Sequence, residues 1–128
     1  MAHATVEYTD NLVGEFDLNR LLSKIAEEMR ERSGGVFPVG GIRVRAHRLS
    51  DYVIADGLCA DDAFINIDVK MGVGRSEEFR QAFFSQLFEA IKVELGDLFE
   101  RRPLALSLYV EEAEGWKHNS IHKRLKGN

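Results

Sequence analysis

Between residues 3 and 9 apolar and polar residues alternate, with Ala4, Val6 and Tyr8 on one side and Thr5, Glu7 and Thr9 on the other. A period of two predicts a strand. The period then lengthens: Leu18, Leu22, Ile25 and Met29 recur at intervals of three and four, which puts them on one face of a helix. Asp17 precedes this run as an N-cap, and Gly34-Gly35 follow it, where left-handed backbone ends a helix. Alternation returns with Ile42, Val44 and Ala46 opposite Arg43, Arg45 and His47, and again from Ala63 to Met71, where Ile65, Ile67 and Val69 share a side. The polar, acidic stretch between them holds a turn signal at Asp56-Gly57. Ser76 caps a second helix that has Glu77 and Glu78 in its first turn. Its predicted buried stripe is Phe79, Phe83, Leu87, Ala90, Ile91, Leu95 and Leu98. Leu104, Leu106, Leu108 and Val110 alternate as a last strand, and Trp116 and Ile121 are the expected anchors of the polar tail beyond.

The order is strand-helix-strand, twice, and each half has a proline ahead of its second strand, Pro38 and Pro103. An α+β fold follows, in which two βαβ units form a four-stranded mixed sheet with two helices on one face. A ferredoxin-like split βαβ has the same element order, and periodicity does not separate the two. Both leave one sheet face without helices. That face is expected to be an apolar patch, and so a contact with another subunit.

Composition narrows the class. The chain of 128 residues is 45% apolar and 30% charged, as expected for one soluble domain over residues 1–128. No apolar run approaches the roughly 20 residues that cross a bilayer, and the start has no secretory signal. Cys59 is the single cysteine, so the cytoplasm is the expected compartment, and an inert thiol is its expected state. A net charge of −4 with interleaved signs argues against nucleic acid as a partner. The locally basic tail from Lys117 to Lys126 is read as solvated surface or subunit contact.

Two places are suited to anions. Arg43, Arg45 and His47 stand on one face of one strand, about 7 Å apart at successive positions. Three potential cations side by side repel unless anions neutralise them, and the arginine fork suits carboxylates. The neutralising group is either a protein carboxylate (Glu7, Asp68 or Asp10) or a ligand, and the pattern leaves both open. Gly72-Val73-Gly74-Arg75-Ser76 joins a strand to a helix N-terminus, where free amides and Arg75 favour an anion, although a plain turn has the same sequence features. His3, His47, His118 and His122 show no spacing that commits them to a metal.

Several stretches together resemble 5-carboxymethyl-2-hydroxymuconate isomerases of the tautomerase superfamily. They are Val6 to Asn11 (VEYTDN), Gly35 to His47 (GVFPVGGIRVRAH), Ala55-Asp56-Gly57, Val69 to Arg80 (VKMGVGRSEEFR), Leu104 to Glu112 (LALSLYVEE) and Asn119 to Leu125 (NSIHKRL). The pieces keep their order and spacing over nearly the whole chain. The resemblance implies adjacent βαβ units, a homotrimer built on the sheets, and isomerisation of an unsaturated dicarboxylate or 2-hydroxy/keto acid in homoprotocatechuate catabolism. It also implies that no cofactor or metal takes part. Arg43 and Arg75 correspond to carboxylate-binding arginines that steady charge on the dienolate, with Arg45 beside them as a further substrate-binding candidate.

The departure lies at the start. The family has proline after the initiator methionine and uses its amine as the base; this chain has Ala2, followed by His3. Position 2 is therefore the expected site of the base. A free alanine amine titrates at roughly 7.7–8.0, within general-base range. The small side chain of Ala2 predicts removal of Met1. With Met1 in place, the nitrogen of Ala2 is an amide and no base. Two other readings follow: a relative that binds such acids but is catalytically weak, and, further off, a ferredoxin-like ligand-sensing module.

Overall fold

The computed structural model describes residues 1–125. Strand β1 runs over Ala2–Thr9, β2 over Ile42–Leu49, β3 over Ala63–Met71 and β4 over Leu104–Glu112. Helix α1 covers Leu18–Glu31 and α2 covers Glu77–Leu95. The sheet order is β2-β1-β3-β4. β1 and β2 are parallel neighbours, with Ala2 opposite Ile42 and Thr9 opposite Leu49. β3 and β4 are likewise parallel neighbours, from Ala63–Leu104 to Met71–Glu112. The two pairs join antiparallel at the centre, where Ala2 faces Met71 and Tyr8 faces Ile65. A split βαβ would put another strand inside each pair, so the adjacent-unit arrangement is the one formed.

One face of the sheet carries the core. Ala2, Ala4 and Val6 of β1 and Ile65, Ile67, Val69 and Met71 of β3 are buried with Leu21, Ile25 and Met29 of α1 and Phe83, Leu87 and Ile91 of α2. Central strands are covered along their whole length, whereas Ile42, Val44 and Ala46 of edge strand β2 and Leu104, Leu106 and Leu108 of β4 are half-buried and Val110 is exposed. Asp17 and Ser76 cap their helices as expected, accepting from the amides of Arg20 and Phe79.

Three expectations need correction. The second helix does not run through Leu98. It stops at Leu95 because Gly96 adopts φ 59°, and Leu98 starts a separate turn, α3 (Leu98–Arg101), while remaining buried. The α1 stripe is rotated, so that Leu21 is fully buried and Leu18 and Leu22 pack at its margin. The helix-free face is also not apolar. Glu7, Asn66, Asp68 and Ser107 form a hydrogen-bonded row across three strands, with Asn66 Nδ2 donating to Glu7 and Asp68, and Ser107 donating to Asn66 Oδ1.

The tail returns across the N-terminal edge of β1 and β2. The Ala113 amide donates to Met71 O at 2.8 Å, and Asn119 Nδ2 donates to Gly40 O at 2.7 Å. The tail then ends in a short helix, α4 (His122–Leu125). Trp116 is 90% exposed and Ile121 is 42% exposed, so Asn119 and His122 anchor this segment instead. The end of the basic tail at Lys126 lies outside the described residues.

Candidate active site

The return of the tail encloses a cavity of about 660 Å³ beside the first residue of the chain. Met1 lines it from just ahead of β1, His3 and Arg43 from the strands, Pro38 and Gly41 from the turn before β2, and residues 113–119 with His122 from the tail. Glycine is needed twice in that turn. A Cβ on Gly41 would sit 3.3 Å from Met1 Cα, and one on Gly40 would enter the ring of His122. The sequence Val39-Gly40-Gly41 thus admits the N-terminus on one side and the tail on the other.

Met1 lines this cavity, and its amine nitrogen lies 3.9 Å from where a Cβ on Gly41 would stand. Burial above all, then the positive charges of Arg75 and Lys117, hold it below the ordinary value for an α-amine. A larger share of it is consequently unprotonated near neutrality, as a general base requires. With Met1 as the first residue, the amine beside the cavity is that of Met1, and Ala2 is an amide, fully buried on the core side of β1.

Arg43 stands opposite His3 in the parallel register of β1 and β2. Its Nη1 donates to His3 Nε2 at 2.7 Å. A guanidinium only donates, so Nε2 is the unprotonated nitrogen and His3 is neutral in this pair. Burial, followed by the charges of Arg43 and Arg45, keeps the His3 pKa below its ordinary value. Among the described residues no carboxylate pairs with Arg43, Arg45 or His47. Neutralisation by Glu7, Asp68 or Asp10 is thus not what the fold provides, and the charge of Arg43 is available to a ligand.

The other two arginines lie elsewhere. Arg45 lines a smaller hollow on the helix-free face with Glu7, Asp68 and Tyr109; His3 and Lys70 border both hollows. Arg75 is half-buried above the ring of Phe37, 5.7 Å from its centroid, and donates to Gly72 O and Val36 O. A Cβ on Gly72 would lie 2.9 Å from Arg75 Nη1, so that glycine makes room for this guanidinium. Arg75 is not in the wall of the main cavity; it borders a smaller depression with Val36 and Phe79, and its charge acts on the Met1 amine. The anion position predicted at the Gly72–Ser76 turn is partly filled from within, because the Gly74 amide donates to Glu112 Oε2 at 3.1 Å and Arg80 pairs with the same carboxylate.

Position 2, Arg43 and Arg75 were legible as candidates; His3 and the tail residues were not assigned to a site. His3 and Arg43 each sit at the second position of their strands, and only the parallel register puts them side by side. The tail has no strong periodicity, so nothing local shows that it folds back to the first residue.

Two adjacent βαβ units joined antiparallel at the centre of one sheet define a tautomerase-type domain. Known proteins agree. The profile of the family "5-carboxymethyl-2-hydroxymuconate isomerase" matches residues 2–125. The chain belongs to that family. It is 39% identical over 129 residues to the Escherichia coli 5-carboxymethyl-2-hydroxymuconate Delta-isomerase, a match that covers 98% of this chain and 100% of that one. The crystal structure of a 5-carboxymethyl-2-hydroxymuconate isomerase from Deinococcus radiodurans R1 superposes with a TM-score of 0.91 at 40% identity, over 98% of this chain and 94% of the other. A fused 4-OT described as a symmetric trimer shares the fold alone, with a TM-score of 0.57 at 18% identity over 91% of this chain and 93% of that one.

Proposed function

We propose that this protein is a cofactor-free isomerase of 5-carboxymethyl-2-hydroxymuconate or a closely similar unsaturated 2-hydroxy acid, in homoprotocatechuate catabolism. The carrying observation is that Met1, whose amine has a lowered pKa, lines the same cavity as Arg43, a cation that pairs with no carboxylate among the described residues. The amine takes the proton from the dienol oxygen and returns one to a carbon of the conjugated system, and the molecular formula is unchanged. Arg43 holds a carboxylate and opposes the charge that develops on the dienolate. Arg75 acts on the same centre through its charge, and Arg45 lies outside it in this chain. The terminal amine is that of Met1 where Met1 is retained and that of Ala2 once it is removed, and Ala2 begins β1.

The cytoplasm and a homotrimer belong to this reading. Family membership supports the trimer, as does the shared fold of a 4-OT described as a symmetric trimer. Among the described residues no helix is long and apolar enough to cross a membrane. The deciding experiment follows the ultraviolet absorbance of 5-carboxymethyl-2-hydroxymuconate on addition of enzyme, with intact-mass measurement fixing the first residue. Enzyme-dependent conversion to the conjugated keto acid is expected. Absence of turnover together with measurable binding would favour the second reading, a binding relative weakened by alanine in the place of the family's proline. Sedimentation equilibrium of a stable monomer would remove the trimer.

A further inference from the structure

The substrate class proposed above has an unusual charge. A muconate skeleton has a carboxylate at each end, and the carboxymethyl arm adds a third. The two skeletal carboxylates are conjugated with the diene and share its plane, so a planar arginine fork suits them. The third hangs from a saturated carbon and rotates, and a mobile point charge on a long stem suits it better.

Such a charge is present. Lys117 lines the cavity, and its positive charge acts on both the Met1 amine and His3. Among the described residues Lys117 has neither an ion pair nor a hydrogen bond. Glu114 is the one carboxylate among the lining residues and does not pair with it. Lys70, also in the wall, is already paired with Glu111 at 3.5 Å. The segment that bears Lys117 is held on either side, by the Ala113 amide on Met71 O and by Asn119 on Gly40 O, so the lysine is presented to the cavity rather than left on a loose tail.

We propose that Lys117 is a specificity residue that receives the carboxymethyl carboxylate, so that the tail makes this cavity selective for tricarboxylates over dicarboxylates. The inference rests on the isomerase reading for its substrate, but not for its test. Steady-state constants are compared for 5-carboxymethyl-2-hydroxymuconate and for 2-hydroxymuconate, which lacks the arm, on the pH plateau of each variant. Lys117→Met is expected to raise KM for the first about tenfold or more, with kcat changed less than about twofold, and to leave KM for the second within about twofold. Lys117→Arg is expected to restore most of the difference. Equal losses on both substrates, or none on either, would overturn the proposal. Calorimetric binding of tricarballylate and of glutarate gives the second readout. Should the unmodified protein turn over neither substrate, the isomerase reading falls, and the subsite stands if Lys117→Met weakens tricarballylate alone. An unmodified protein that binds the two probes equally well overturns the subsite.

Discussion

The guanidinium of Arg43 donates to Nε2 of His3 across 2.7 Å, so among the described residues this cavity cation meets a neutral ring and pairs with no carboxylate. A carboxylate partner would have cancelled the charge that a substrate needs; an imidazole orients the fork and leaves the charge in place. The first prediction comes from this pair. Arg43→Ala should weaken carboxylate binding by roughly 1.5–3 kcal/mol, the range for hydrogen bonds to charged groups. It should also raise the His3 pKa part of the way back, because burial, the larger cause, remains while the Arg43 charge is gone. An NMR titration of His3 that is unchanged in the variant would contradict the pairing.

The second prediction concerns pH. The base works unprotonated, so the rate should rise with pH through the titration of the terminal amine. Burial and the charges of Arg75 and Lys117 lower that pKa, so the midpoint should lie below that of an ordinary α-amine. Arg75→Gln removes one of the positive charges, and the midpoint should then move to higher pH. Acetylation of the amine should abolish the dependence. A midpoint unaffected by Arg75→Gln, measured from kcat/KM profiles, would separate Arg75 from the amine.

Much of this fold was legible because its signals are local. Alternation at Ala4-Val6-Tyr8 and Ile65-Ile67-Val69 marks strands whose one side is buried, and Asp17 and Ser76 accept the amide bonds their positions predicted. The helix break at Gly96 was missed because Leu98 keeps the apolar spacing on the far side of it. The open sheet face was misjudged for another reason. Asn66, Asp68 and Glu7 read singly as polar residues, and only the strand register joins them into a hydrogen-bonded row. The site divides in the same way. Arg43 was legible from one strand, whereas its contact with His3 and the closing role of Asn119 depend on residues 40 and 79 positions apart.

A third prediction tests the tail as a wall of the cavity. Gly40 is buried, its carbonyl accepts from Asn119, and a Cβ there would meet the ring of His122. Gly40→Ala should displace the tail at a cost of about 1–3 kcal/mol, the usual range for overpacking. Its consequences should be faster proteolysis after residue 113 and a higher KM, with little loss of the sheet core. Hydrogen exchange that shows the tail amides of Ala113 and Ile121 protected as before would show that His122 gives way without releasing the segment.

The last prediction concerns position 2. With Met1 in place the amine beside the cavity belongs to Met1, and Ala2 is the first residue of β1, fully buried and flanked by Ile42 and Met71. Removing Met1 draws the amine back by one residue, about 3.3–3.6 Å along an extended chain. Ala2→Pro with Met1 removed should then raise activity clearly over the alanine form. Proline is tolerated as the first residue of a strand, and its ring fixes φ, so the amine loses less freedom than that of alanine when it is oriented for proton transfer. General-base catalysis contributes about 10²–10⁴-fold, and a misplaced amine forfeits part of that factor, so the gain should be a fraction of it and stay below about 10⁴-fold. Rates of the processed alanine and proline forms, each verified by intact mass, should both rise with pH through the titration of their own amines. If the whole chain turns over substrate at a rate the proline form does not exceed, the base is the Met1 amine itself, or a group elsewhere in the cavity. Acetylating Met1 then separates those two cases, since only the first loses activity.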